Sequence, residues 1–215
     1  MDVETIVFLA RHGETDAKVA GIWQGSTDHP LNQRGMAQAQ ALAQRIAREH
    51  PDIVTIYTSP LQRARQTALA VARVLDGVPM LEDERLSEYH LGEWESLTYQ
   101  ELRYEKRLWE RMDEDPHWAP PGGESAYQFA TRVLNALRDV AQKHEGQKVL
   151  IVGHGGALAT ALALLLEGRG NAWRTYQMAN CALSELIFSP SPQLVRFNDV
   201  THLATVGHSG LPKVG

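Results

Sequence analysis

The run Ile6-Val7-Phe8-Leu9-Ala10, continuing directly into Arg11-His12-Gly13-Glu14-Thr15, constrains this chain more than any other stretch. Five consecutive apolar residues suit a buried strand and are far too few to span a membrane. The strand then empties into a cation, an imidazole and a glycine. Open α/β folds carry their sites at the carboxyl edge of the sheet, so a buried strand ending this way sets a nucleophile or base at such an edge. A plain surface turn that happens to hold an Arg and a His is the competing reading, and this stretch alone does not separate the two.

Two further runs repeat the design. Ile53–Thr58 is β-branched and aromatic, and Ser59-Pro60 after it reads as a helix start with Ser as N-cap and Pro at the first helical position. Arg63 falls in the first turn of that helix. Residues 149–152 form a third apolar run that enters Gly153-His154-Gly155-Gly156, followed by an Ala/Leu-rich helix over 157–167. Between these runs, 16–32 reads as a loop. A helix over 33–48 turns Met36, Ala39, Leu42, Ala43 and Ile46 inward. Residues 78–81 suit a short edge strand, and Ser125 opens a helix reaching Lys143. Residues 182–188 and 194–197 read as two late strands, joined through Ser189-Pro190-Ser191-Pro192. The alternation predicts an α/β three-layer sandwich, a mostly parallel central sheet with helices on both faces.

A chain of 215 residues fits one domain, assigned to 1–203, with 204–215 as a flexible, Gly-rich tail. The least regular part, 82–124, reads as a cap on the substrate side. It holds Trp94, Trp109 and Trp118 and a helix over 98–112. Arg103, Arg107 and Arg111 would share one stripe of that helix, read as a solvated face paired with Glu110 and Asp115 rather than a lid for a second anionic group. The net charge of −5 argues against nucleic acid or an anionic membrane as the main partner. The single cysteine, Cys181, excludes an internal disulfide framework and a multi-cysteine zinc site, and reads as a small buried hydrophobe. No signal peptide is evident at the N-terminus, so the expected location is the cytoplasm. A homodimer is compatible with the sequence.

In a parallel sheet the three strand ends share one edge, so Arg11-His12, Arg63 and His154-Gly155-Gly156 can converge. Two guanidinium forks and a helix N-terminus make an anion site that fits phosphate. Two imidazoles in such a site suggest covalent phosphoryl chemistry, one attacking phosphorus and one bonding the non-bridging oxygens. Cations would then do the work of a metal, and no metal or cofactor is expected.

These residues resemble a family. Arg11-His12-Gly13-Glu14-Thr15 is similar to the R-H-G-E-S/T motif of the histidine phosphatase superfamily, the phosphoglycerate mutase-like fold. Asp28-His29-Pro30-Leu31 with Gly35 and Gln38-Ala39 resembles its D-x-P-L…G…Q-A segment. Ser59 through Thr67 resembles its S-x-L-x-R-A-x-Q-T element. Leu86-Ser87-Glu88 with Gly92-Glu93-Trp94-Glu95, Pro121-Gly122-Gly123-Glu124-Ser125 and Gly153-His154-Gly155-Gly156 complete the set, in the family's order. The resemblance implies a phosphohistidine formed on His12. Arg11, Arg63 and His154 would line the phosphate pocket with a backbone N–H near Gly155, and Gln24 would touch the phosphate from the first loop. Glu88 would be the general acid for the leaving oxygen, since burial and the phosphate's charge both raise a carboxyl pKa. The family often has Trp-Asn where this chain has Ala17-Lys18, so a phosphate contact from that Asn is lost or taken over by Lys18.

The expected activity is therefore a metal-independent phosphatase acting on a small phosphorylated metabolite and releasing inorganic phosphate. A phosphoglycerate mutase is the second reading within the family, less well matched because the longer insert and paired arginines of the glycolytic mutases are lacking. A serine hydrolase is rejected for want of a G-x-S-x-G elbow, and a dinucleotide module for want of the third glycine. A catalytically inactive phosphate-binding protein is the alternative of another class. His90 and His202 lie in segments able to reach the pocket mouth. His29, His50, His117, His144 and His208 carry no functional expectation.

Overall fold

The computed structural model describes residues 4–188 and 191–207. A six-stranded sheet runs in the order β3-β2-β4-β1-β5-β6. The strands are β1 (Ile6–Arg11), β2 (Ile53–Thr58), β3 (Met80–Glu82), β4 (Lys148–Gly153), β5 (Leu183–Ile187) and β6 (Gln193–Asp199). The first four in chain order pair parallel, while β5 is antiparallel to both β1 and β6. The helices are α1 (Asp16–Val19), α2 (Gln33–Glu49), α3 (Gln62–Ala72), α4 (Leu108–Glu114), α5 (Ala126–Lys143) and α6 (Gly155–Glu167).

Period-two alternation along the central strands splits the core into two layers. Val7 and Leu9 of β1 and Val149 and Ile151 of β4 face α5 and α6. Phe8, Ala10, Leu150 and Val152 face α2 and α3. A strand buried on both faces must be apolar at every position, which is why these runs are continuous rather than alternating. Helix α6 is apolar almost all round and is correspondingly buried over Ala157–Ala163. Ser125 caps α5 as expected, in a reciprocal capping box with Gln128. No helix among the described residues is long and apolar enough to cross a membrane.

Several local expectations are corrected. Met36 is 51% exposed, and α2 instead buries Gly35, Gln38 and Arg45. Arg45 lies on the buried face because each of its three guanidinium nitrogens donates: to Glu49, His202 and Asp199. The edge strand sits two residues late, at Met80–Glu82, and the loop after β1 contains the one-turn α1. Helix α3 starts at Gln62 with Leu61 at the cap position, so Ser59 is not its N-cap residue. The expected helix over 98–112 is broken: a π-helical turn over Glu101–Glu105 is separated from α4 by Arg107 in a left-handed conformation (φ 51°). Arg103, Arg107 and Arg111 therefore share no stripe. Arg103 donates to Tyr99 Oη, Arg107 pairs with Glu110, and Arg111 lies over the Trp118 ring. Within the expected tail of 204–215, Gly207 N donates to Leu203 O and Gly207 O accepts from the buried Gln38 amide. The rest of that tail, 208–215, and with it His208, lies outside the described residues.

Candidate active site

Strand register brings the three chemistry-bearing ends together. Arg11 pairs with Gly153 and Thr58 with Val152, so β1, β2 and β4 finish side by side. The chain leaves the sheet in step: His12 N donates to Gly153 O at 3.0 Å and Ser59 N to Val152 O at 3.1 Å. A cavity of about 270 Å³ opens at this edge, lined by Arg11, His12, Lys18, Gln24, Arg63, Glu88 and Gly155 among others.

His12 is buried, and its Nδ1 lies 2.7 Å from Gly13 O. A carbonyl only accepts, so Nδ1 carries the proton and Nε2 keeps the lone pair. Burial, then the nearby Arg63 and Arg11 charges, hold the ring well below the ordinary histidine pKa of 6.5, so it is neutral. Asn180 Nδ2 donates to His12 O at 2.8 Å and fixes its backbone.

The cations are committed to fixed positions. Arg11 Nη1 donates to Met178 O, while its Nε is buried without a partner among the described residues. Arg63 is fully buried and donates from Nη1 to Thr27 O and from Nη2 to Gly25 O, both at 2.7 Å. Burial pushes its pKa down to about 10, which leaves it charged at neutral pH. Glu95 holds the loop that supplies these carbonyls, accepting from the backbone and hydroxyl groups of Ser26 and Thr27. Lys18 lines the cavity and donates to Asn180 Oδ1. Burial, then the Arg11 charge, lowers it to about 7. Gln24 also lines the cavity; its Oε1 accepts from Thr15, and its buried Nε2 has no partner among the described residues.

Glu88 reaches the start of α6 from the segment after β3. Its Oε2 accepts from Gly156 N at 2.8 Å and its Oε1 from Tyr89 N at 3.0 Å. A carboxylate thus caps the helix dipole where His154, the cap residue, makes no side-chain cap bond. Arg132 fixes the backbone behind it, donating to Ser87 O and Glu88 O while held by Glu124. Both glycines opening α6 sit close against side chains of the site. A Cβ on Gly155 would lie 3.0 Å from Arg11 Cζ, and one on Gly156 2.6 Å from Glu88 Oε1.

The His154 ring is fully buried and lies 5.1 Å from the His12 ring. Arg63 Nε donates to His154 Nδ1 at 3.2 Å, which forces the proton onto Nε2, and Nε2 in turn donates to Ser59 Oγ at 2.8 Å. Burial, with Arg63 next, keeps this ring neutral too. Arg63, in the first turn of α3, thus ties this imidazole to the carbonyls of the first loop. His90 and His202 do not reach the cavity. His202 bridges Arg45 and Cys181 O, and His90 is exposed. Sequence reasoning missed Ser59 as a partner of His154, the Thr67 hydroxyl that accepts from Gly13 N, and Asn180. The last had one signal, a lone amide in the otherwise apolar run from Met178 to Leu183.

A neutral imidazole, the buried Arg63 and half-buried Arg11 guanidiniums and a helix N-terminus together make an α/β sheet-edge site suited to an anion. The chain matches the histidine phosphatase superfamily (branch 1) over residues 7–200, and it belongs to that family. It is 36% identical over 210 residues to a probable phosphoglycerate mutase GpmB of Serratia proteamaculans, covering 93% of this chain and 95% of that protein. It is 33% identical over 207 residues to a metal-independent phosphoserine phosphatase of Arabidopsis thaliana, covering 94% and 85%. Its fold superposes with a TM-score of 0.81 and 30% identity on a phosphoserine phosphatase of Entamoeba histolytica in complex with 3-phosphoglyceric acid, covering 93% and 99%.

Proposed function

We propose that the protein is a phosphatase that hydrolyses a small phosphomonoester through a phosphohistidine on His12. The observation that carries this reading is the His12 Nδ1–H bond to Gly13 O, which leaves Nε2 as the lone pair within a cavity ringed by cations. In the first step Nε2 attacks phosphorus and the ester P–O bond breaks. Arg11, Arg63, Lys18 and the Gly155 N–H neutralise charge on the non-bridging oxygens, and Gln24 Nε2 adds a neutral donor. Glu88 gives its proton to the leaving oxygen. In the second step water attacks the phosphohistidine, Glu88 takes the water's proton, and inorganic phosphate leaves with His12 neutral again. His154 acts through Arg63: by accepting from Nε it sets the plane of the guanidinium fork, so it is a positioning residue.

With this many cations in the pocket, the reaction proceeds without a metal. Phosphate release from p-nitrophenyl phosphate should be abolished by His12→Ala and unchanged by chelator. Glu88→Gln should slow esters with poor leaving groups far more than p-nitrophenyl phosphate, whose leaving group needs little acid help. A wild type inert across a broad panel of phosphomonoesters would favour the phosphate-binding protein instead. The mutase names among the relatives support a second reading, phosphoryl transfer between positions of a phosphoglycerate. Retention of phosphate on product rather than its release distinguishes it.

A further inference from the structure

A second cavity adjoins the first. It measures about 340 Å³, and the two share Trp23, Glu88, Gly156 and Trp173. Glu88 therefore stands at the junction, where a bridging ester oxygen would sit if phosphorus lay against His12. Beyond it the walls are mostly apolar and aromatic, built from Leu108, Trp109, Met112, Phe129, Ala130 and Leu164, with Thr131, Thr160 and Asn171 as neutral polar groups. These walls are pre-set. Trp109 meets Trp23 edge-on at 5.3 Å between ring centroids, and Tyr89 meets Phe129 edge-on at 5.0 Å.

The charge pattern of the two cavities is sharply unequal. Arg11, Lys18 and Arg63 all line the smaller one. The larger has one cation, Arg169, whose side chain is 70% exposed and donates to Glu167. Its Asp113 lies 3.8 Å from Arg174. The Tyr89 hydroxyl is buried without a partner among the described residues, and burial raises its pKa, so it stays a neutral donor. A carboxylate entering here would lose its water and find no cation committed to it, which is costly. An apolar group would gain roughly fourfold in affinity per methylene buried.

We propose that the larger cavity is the leaving-group site and selects phosphomonoesters of uncharged apolar alcohols, of about aryl size, over carboxylated ones such as phosphoserine or phosphoglycerate. This rests on the phosphatase reading, and its test is built to survive that reading's failure. Benzylphosphonate and 2-carboxyethylphosphonate are both non-hydrolysable, so their Kd values on the wild-type protein report the cavity's chemistry whether or not any ester turns over. Benzylphosphonate should bind at least about tenfold more tightly. Ala130→Leu, which fills the cavity, should weaken benzylphosphonate by more than it weakens inorganic phosphate. Met112→Lys, at a half-buried position, should narrow the preference by improving 2-carboxyethylphosphonate. Equal affinities, or a preference for 2-carboxyethylphosphonate, would overturn the proposal. In parallel, kcat/KM for benzyl phosphate should exceed that for O-phosphoserine. Turnover that favours O-phosphoserine refutes the selectivity while leaving the phosphatase standing. Absence of all turnover with benzylphosphonate still preferred refutes the phosphatase and keeps the apolar site.

Discussion

Adjacent glycines at the start of α6 offer a way to separate the acid from the phosphate cradle. In Gly156→Ala the new Cβ would lie 2.6 Å from Glu88 Oε1, against 3.4 Å or more for ordinary contact, so the carboxylate must retreat by about 0.8 Å. The obstructing atom is the end of a flexible side chain, so the fold can yield. The Gly156 N–H bond to Glu88, worth about 1.5–3 kcal/mol, is weakened, while Ala in place of Gly returns up to about 1 kcal/mol of helix propensity. The net destabilisation is thus no more than about 3 kcal/mol. Catalysis is less tolerant, since a misplacement of about 1 Å can cost ~100-fold and a general acid contributes ~10²–10⁴. Steady-state kinetics on benzyl phosphate should therefore show kcat/KM down by about 100-fold, with p-nitrophenyl phosphate down only a few-fold. Gly155→Ala presses instead on Arg11 Cζ at 3.0 Å and Nε at 3.1 Å. It should weaken binding of inorganic phosphate and slow both esters by the same factor. An equal loss on both esters in Gly156→Ala, with thermal unfolding near wild type, would refute the placing of Glu88 as the leaving-group acid.

Two pH effects follow from the buried bases. His12 and His154 sit well below 6.5 in the folded protein, chiefly through burial, and His50 and His202 are lowered in the same sense. Below about pH 6.5 the unfolded chain takes up protons that the folded chain refuses, so stability falls as pH drops, by up to about 1.4 kcal/mol per pH unit for each ring. Paired carboxylates such as Glu49, held at about 2, titrate below this window. Denaturant midpoints that do not move between pH 7 and 5.5 would contradict the neutral-ring assignment. Lys18, at about 7, should make sulfate affinity fall as pH rises through that value, sulfate itself keeping constant charge. Calorimetry on Lys18→Met should lose that step; an unchanged profile would remove Lys18 from the anion site.

Length, apolar periodicity and three strand ends by themselves determined the α/β architecture and the identities of Arg11, His12 and Arg63 at one edge. Short β-branched apolar runs bounded by Gly and Pro signals read as strands buried on both faces, and parallel strands finish on the same side, so their ends can converge. Long-range partners carry no such local signal. The Asn180 bond to His12, the Glu95 clasp on the first loop and the Gly156 N–H beneath Glu88 each join residues far apart in sequence. His154 shows the limit most clearly, since its residue type and position after β4 could be read, but its bonds to Arg63 and Ser59 follow from how α3 and the end of β2 pack against it. The apolar cavity beyond Glu88 likewise exists only once α4, α5 and α6 pack, because shape and the balance of charge around a void belong to no single segment.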